Sequence, residues 1–253
     1  MPAWNADAYL EQAVVSVLAQ THDEWQLFVI DDSSTDETGD IIDRLAASDP
    51  RITRLRTSVR SGAAAARNLG IQAAQGRYIA FLDADDVWAP HKLSSHLAFM
   101  KNRDAALSFT GYWRGGQGGL WRYVPAPSRV DRTRLMRANV IGCLTVMYDQ
   151  TALGKVEMPV LHQRQDYGLW LELLNRMPYA YGLDEGLAGY RRGTQNPLSG
   201  NVVSAQRANW RFFRRHLQQG RFRSARNMFT NLLQKAVWLL RTKAQHNPQP
   251  WLP

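Results

Sequence analysis

Hydrophobic and polar positions alternate in blocks through the first third of the chain. Leu10, Ala13, Val14, Val17 and Leu18 recur at the spacing of a helix stripe that ends near Gln20, with Asn5 or Asp7 placed to cap it. Residues 26–30 form an apolar run that ends at Asp31-Asp32, as a strand does. Ser34 and Glu37 have capping-box spacing, and the helix behind them carries Ile41, Ile42 and Leu45; Asp31, Asp32 and Asp36 are alternative caps. Residues 52–56 predict a third strand. Arg60-Ser61-Gly62 turns into an alanine-rich helix through Arg67, Asn68 and Gln75, closed by Gly76. Tyr78-Ile79-Ala80-Phe81-Leu82 then predicts a strand buried on both faces. Alternating strands and helices imply βα units and a mostly parallel sheet. Residues 1–5 read as a loop. A strand should precede that loop, and the sequence starts too late to supply it.

The pattern changes further on. An amphipathic helix to about Lys101 precedes a strand at 105–110. Residues 111–119 are rich in glycine and aromatics and predict a hairpin or mobile loop. Residues 140–148 read as a strand. His162-Gln163-Arg164-Gln165-Asp166 leads into a helix through Trp170, Leu171 and Leu174. Tyr190-Arg191-Arg192 opens a polar loop that runs past Ser199. No acidic residue follows Glu185, while Arg207, Arg211, Arg214, Arg215, Arg221, Arg223 and Arg226 interleave with aromatic and aliphatic positions. This predicts two basic amphipathic helices broken near Gly220, then a frayed tail from Asn247. The expected division is a catalytic domain over 1–200 and a helical extension over 201–253.

Composition adds three points. The 253 residues suffice for one large core, with or without an appendage. A single cysteine, Cys143, excludes an internal disulfide and fits a reducing compartment. The net charge of +9 points to an anionic partner: nucleotide, nucleic acid or lipid headgroups. No run reaches the ~20 apolar residues of a membrane span, and the N-terminus lacks a basic-then-apolar signal pattern.

The densest chemistry is Asp83-Ala84-Asp85-Asp86, where the strand at 78–82 stops. Carboxylates this close repel unless a cation sits among them. Oxygen donors at a strand's carboxyl end suit Mg2+ or Mn2+. The competing reading is an acidic turn capping the next helix.

Six segments in order carry a resemblance: Pro2-Ala3-Trp4-Asn5; residues 16–21; Val29-Ile30-Asp31-Asp32-Ser33-Ser34; Ala66-Arg67-Asn68-Leu69-Gly70; residues 76–86; and Gln165-Asp166-Tyr167-Gly168-Leu169-Trp170. Together they resemble the family 2 glycosyltransferases. Trp4 stands where that family has tyrosine, Gln165 where it often has glutamate, and the first strand is missing. The resemblance implies the α/β GT-A fold and an inverting, metal-dependent hexosyl transfer in cell-surface polysaccharide synthesis. The donor would be a nucleotide-sugar, and the acceptor a glycan or a lipid-linked glycan. Mapped here, Ala3, Trp4 and Asp32 hold the base. Trp4 lies against a uracil-type ring, and Asp32 accepts its N–H. Arg60 and Arg67 face the phosphates or are solvated helix-end charges. Asp85 ligates Mn2+ or Mg2+, with Asp83 near the ribose or a metal-bound water; Asp86 caps a helix or supports the metal site from behind. Asp166 is the general base, or caps its helix. Trp170 is an acceptor platform or core. Arg191 or Arg192 neutralises the leaving diphosphate.

The basic helices either lie on an anionic bilayer, placing the protein at the inner face of the cell membrane, or pack on the catalytic domain or a second copy of the chain. Two rival classes are a nucleotide-sugar-binding protein without catalysis and a nucleic-acid-binding protein using the basic tail. No nucleic-acid module supports the latter.

Overall fold

The computed structural model describes residues 1–191, 202–241, 243–246 and 248–253. Its first part follows the alternation of the sequence: β1 (Pro2–Ala3), α1 (Leu10–Leu18), β2 (Leu27–Asp31), α2 (Thr38–Ser48), β3 (Ile52–Arg56), α3 (Ala63–Ala73) and β4 (Tyr78–Ala80). β2 lies between β1 and β3, and both pairings are parallel. The loop expected at the start therefore contains a strand. Pro2 pairs with Ile30 and Ala3 with Asp31, and the Met1 carbonyl extends the ladder by accepting from the Ile30 N–H at 2.8 Å. Two residues leave no period to read.

A second sheet follows, made from β5 (Val87–Trp88), β6 (Leu107–Gly115), β7 (Leu120–Val124), β8 (Arg129–Val130), β9 (Val146–Asp149) and β10 (Ala180–Arg191), with β4 attached through β9. Helices α4 (Lys92–Arg103), α5 (Arg132–Arg137), α6 (Gln150–Leu153) and α7 (Gln165–Arg176) connect and cover these strands. β6 is the centre. β10 runs parallel along one edge; β9 and then β7 pair antiparallel along the other. Among the described residues, parallel pairing is confined to β1–β2–β3 and β6–β10, and the remaining pairs are antiparallel. Residues 111–119 form the expected hairpin, because β6 continues to Gly115 and turns into β7. The strand expected at 140–148 shortens to Val146–Asp149 behind a 3-10 turn at Cys143–Thr145. β10 had no forecast: Gly182, Gly186 and Gly189, with Asp184 and Glu185, erase its alternation. Tyr190 and Arg191 end this strand rather than begin a loop. Arg192 and the polar loop past Ser199 lie outside the described residues.

The C-terminal part holds α8 (Val202–Arg211), a π-helical turn at Phe212–His216, α9 (Arg221–Arg241) and β11 (Gln245–His246), which pairs with β7. The expected break near Gly220 is present, entered through Gln218 at φ +50°. Two features of this segment bear on how it packs. Phe212 and Phe213 are buried in the main core, their rings 4.9 and 6.2 Å from that of Tyr167 on α7. The tail is not frayed where it is described: Leu252 is buried with Val87, Trp113 and Trp121. A Cβ at Gly189 would come within 2.6 Å of the Leu252 side chain, so that strand position needs glycine. Among the described residues, no helix is long and apolar enough to cross a membrane.

If the core runs through residue 200, Phe213→Ala costs about 3–5 kcal/mol of unfolding free energy in urea titrations, the usual loss for a buried phenylalanine. Phe222→Ala, 94% exposed on α9, changes it by less than about 0.5 kcal/mol.

Candidate active site

The loops after β1 and β2 are tied together by side chains. Asn5 sits at φ +46° and is not a helix cap. Its Oδ1 accepts from the Thr35 N–H at 2.9 Å, its own N–H donates to Ser34 Oγ at 3.2 Å, and the Ala6 N–H donates to Thr38 Oγ1 at 2.7 Å. α1 starts at Leu10 without a side-chain cap. The Ser34–Glu37 box does not form, because α2 begins one residue after Glu37; Asp36 accepts from the Thr38 N–H at 3.1 Å instead. Asp31 is paired with Arg54 at 2.6 Å.

Asp32 is buried and its carboxylate turns toward the loop that enters α3. Oδ1 accepts from Thr57 Oγ1 and the Ser61 N–H, both at 2.8 Å; Oδ2 accepts from the Gly62 N–H at 2.7 Å. Gly62 stands at φ +85°, a conformation glycine adopts freely. The Asp32 N–H donates to the carbonyl of Ala3 at 2.8 Å, so Ala3 contributes backbone only. Asp32 thus organises the site's edge before any ligand arrives, and its Oδ2 keeps room for one more donor. Trp4 is 40% exposed, and the Arg60 guanidinium lies over its ring, 3.3 Å from the centroid. The residue expected against a base and the one expected against phosphate therefore stack on each other, a cation–π contact.

Beyond β4 the chain enters the acidic corner. Phe81 and Leu82 are buried, and a turn brings the Asp86 N–H to the Asp83 carbonyl at 3.1 Å. Asp83 is ion-paired with Arg67, a buried guanidinium carried by α3. That pairing, with the added attraction of Asp166, holds the guanidinium charged against the cost of its burial. Asp86 is buried. Its Oδ1 accepts from the Arg191 N–H at 2.9 Å and its Oδ2 has no donor. Burial and the neighbouring Asp85 and Asp83 push its carboxyl well above the ordinary range. The Arg191 side chain turns to α1, donating to Gln12 Oε1 at 2.6 Å and lying 5.0 Å from the Tyr9 ring centroid.

Asp166 lies in the first turn of α7 and faces the same charges. Burial pushes its carboxyl up; the Tyr167 backbone N–H, Arg67 and Arg164 pull it down, and Asp83 pushes it up again. Trp170 is a correction. It is fully buried, its ring 5.7 Å from Phe81, so it is core and not a platform for an acceptor. One turn further along α7 from Asp166 points inward, because α7 buries Tyr167, Leu171 and Leu174 on that side. Four neighbours escaped the sequence reading. Tyr9 and Gln12 hold Arg191, and Tyr112 and Cys143 face the acids of the corner. Gln12 on the polar side of the α1 stripe was the one visible sign; Tyr112 lay in a stretch that read as a hairpin or mobile loop.

The oxygen donors suit a hard divalent ion only in part. Among the described residues, no three His, Cys, Asp or Glu side chains form a cage. Asp83 is engaged by Arg67, and Asp86 Oδ2 is buried without a hydrogen-bond partner. Such a corner fits an ion that takes the rest of its ligands from phosphate and water.

A sequence profile described as Glycosyl transferase family 2 matches residues 1–153. The chain belongs to that family. This glycosyltransferase is 41% identical over 238 residues to TuaG of Bacillus subtilis (strain 168), a protein named for teichuronic acid biosynthesis; the match spans 93% of this chain and 94% of that one. It is 37% identical over 210 residues to WfgD of Escherichia coli, a UDP-Glc:α-D-GlcNAc-diphosphoundecaprenol β-1,3-glucosyltransferase, over 83% of this chain and 82% of that one. Among solved structures, Staphylococcus aureus TarS 1–349 in complex with UDP-GlcNAc superposes with a TM-score of 0.69 at 19% identity, covering 89% of this chain and 67% of that chain. The mannosyltransferase PcManGT from Pyrobaculum calidifontis, in complex with GDP-Man and Mn2+, does so at 0.67 and 15% identity, covering 94% and 72%. At these identities the two structures establish the GT-A fold.

The Arg67–Asp83 pair makes an asymmetric prediction. Asp83→Ala strands a buried guanidinium and costs about 3 kcal/mol in urea titrations. Arg67→Met leaves a carboxylate that still reaches water, 28% exposed, and costs clearly less.

Proposed function

We propose that this glycosyltransferase moves a sugar, with inversion, from a UDP-sugar to a hydroxyl of a lipid-linked glycan in surface-polysaccharide synthesis, at the inner face of the cell membrane. The observation that carries this reading is that Asp166 from α7, Arg67 from α3 and Asp83 from the β4 corner share one electrostatic neighbourhood. The WfgD name supplies the donor and acceptor class, and UDP-GlcNAc in TarS supports the nucleotide. The rival readings, a binding protein without catalysis and a nucleic-acid-binding protein, have no such support.

The roles follow from placement. The joined loops after β1 and β2 receive the nucleoside, with the exposed Trp4 as its stacking surface and the loop held by Asp32 as its edge. Arg60 covers Trp4 in the free protein, so it yields that face or clamps the base against it. Arg67 and Arg191 supply positive charge to the diphosphate. Asp85, with Asp83 or Asp86 behind it, would hold Mn2+ or Mg2+, which would act as Lewis acid toward the departing diphosphate. Asp166 takes the proton of the acceptor hydroxyl as that oxygen bonds to the anomeric carbon. The bond from that carbon to the diphosphate oxygen breaks, and UDP leaves with the electron pair. A single displacement inverts the configuration. The raised carboxyl of Asp166 makes it a better base at neutral pH than an ordinary aspartate.

Asp166→Asn tests this assignment. Transfer falls about 10²–10⁴-fold, the range for loss of a general base, while UDP with Mn2+ still raises the melting temperature as it does for wild type. Equal transfer by the variant defeats the assignment. The base must be ionised, so wild-type kcat/KM declines as pH falls through a pKa above the ordinary aspartate value. Because the folded-state pKa is raised, ionised Asp166 disfavours the native state above that pH, and the asparagine variant gains stability relative to wild type as pH rises.

A further inference from the structure

We infer that α9 is a lipid-docking element that seats its outward face in an anionic bilayer. This helix is inverted relative to an ordinary surface helix. Ser224 and Asn227 are buried against the body, while Phe222, Phe229 and Leu233 are 94%, 66% and 52% exposed. The last three recur at intervals of seven and four, one face of a helix, and Val237 extends the row by another four. Met228 packs on the main core, and polar groups add to the attachment: Thr230 Oγ1 donates to the Arg137 carbonyl of α5 at 2.8 Å, and Asn227 Nδ2 to Gln219 Oε1 of the preceding turn at 3.1 Å. An apolar row this long on an otherwise anchored helix marks a contact surface.

Charge selects the occupant. Arg221, Arg223 and Arg226 are exposed around the row, and no acidic residue follows Glu185. A second copy placed face to face would set arginines against arginines. Anionic headgroups instead neutralise them while the phenylalanines enter the boundary below. Beside the row, a groove of about 580 Å³ between α8 and α9, with Trp210 and Met228 as its apolar part and Arg207 and Arg211 at its rim, continues the same chemistry.

α8 and the π-helical turn, which lead into α9, touch the helix that carries Asp166. Arg164 Nε donates to Asn209 Oδ1 of α8 at 2.7 Å, two residues before Asp166, and Tyr167 stacks on Phe212. Docking therefore sets the position of the Asp166 helix relative to the membrane. The inference rests on the proposed function only for its use, a lipid-linked acceptor; the docking surface stands on the helix itself.

The test is co-sedimentation of the full chain with phosphatidylcholine vesicles, with and without phosphatidylglycerol, in the absence of donor and acceptor. Wild type partitions onto the anionic vesicles, and added salt weakens the binding. Joint replacement Phe222→Ser, Phe229→Ser and Leu233→Ser, and separately Arg221→Gln, Arg223→Gln and Arg226→Gln, each lower partitioning by about tenfold or more. An unchanged UDP-induced thermal shift in each variant shows that the fold is intact. Equal binding to neutral and anionic vesicles, or wild-type binding by the serine variant, overturns the inference. So does a dimer in vesicle-free solution that the serine variant abolishes, which would give the face to a second copy. Lost transfer with intact vesicle binding counts against the proposed reaction alone. A wild-type chain that transfers to a soluble acceptor but does not bind anionic vesicles counts against the docking surface alone.

Discussion

The buried Arg67 guanidinium is the constraint from which the site is built. An arginine cannot shed its charge, and moving it out of water costs several kcal/mol unless carboxylates surround it. α3 places it in the interior because Ala64 and Ala66 let the helix approach the sheet closely. The chain must then bring acids to it from elsewhere. Asp83 arrives from the end of β4 and pairs directly, and Asp166 arrives from α7 and is held down by the same cation. One charge thus fixes the relative position of three elements far apart in sequence. Burial and the neighbouring Asp85 and Asp83 push the Asp86 carboxyl up, toward its neutral form. On the proposed reading, a diphosphate would compete with Asp83 for Arg67, and a divalent ion with Arg67 for Asp83. A donor bringing both would exchange one neutral pairing for two, which would favour their binding together.

Much of this was legible from residues alone. β3 begins and ends where the apolar pattern does, and the positions of Asp83, Asp85 and Asp166 followed from strand ends and helix starts. What escaped was direction. The pattern places Asp32 at a strand end but cannot say that its carboxylate turns back to Thr57, Ser61 and Gly62. Trp4 and Arg60 are 56 positions apart in the numbering, and no periodicity announces that they stack. Trp170 lies one turn from Asp166, which places it near the site in sequence terms. Only the packing of α7 on Phe81 shows that it faces inward. β10 was hidden for another reason: its glycines make room for Trp113, Pro127 and Leu252, so tertiary packing removed the side chains that would have revealed the strand.

The C-terminal segment shows how one composition serves two physical ends. Phe212 and Phe213, on the π-helical turn, go into the core beneath Tyr167. Phe222 and Phe229, a few residues on, point to solvent. Sequence alone treats the four alike, as members of one basic amphipathic pattern. The difference arises at Gln218–Gly220, where a left-handed residue redirects the chain and rotates the following helix so that its serine and asparagine meet the body. Burying Ser224 and Asn227 contributes less to stability than burying phenylalanine in the same place. A fold optimised only for itself would have turned the helix the other way. The cost is reasonable if the outward row has a partner, and the arginines around it define the partner's charge. α8, which precedes that turn, accepts from Arg164 through Asn209 and so braces the start of the helix bearing Asp166. If the outward row docks as proposed, the segment that follows the core phenylalanines would carry the surface contact, while the segment before them steadies the helix of Asp166.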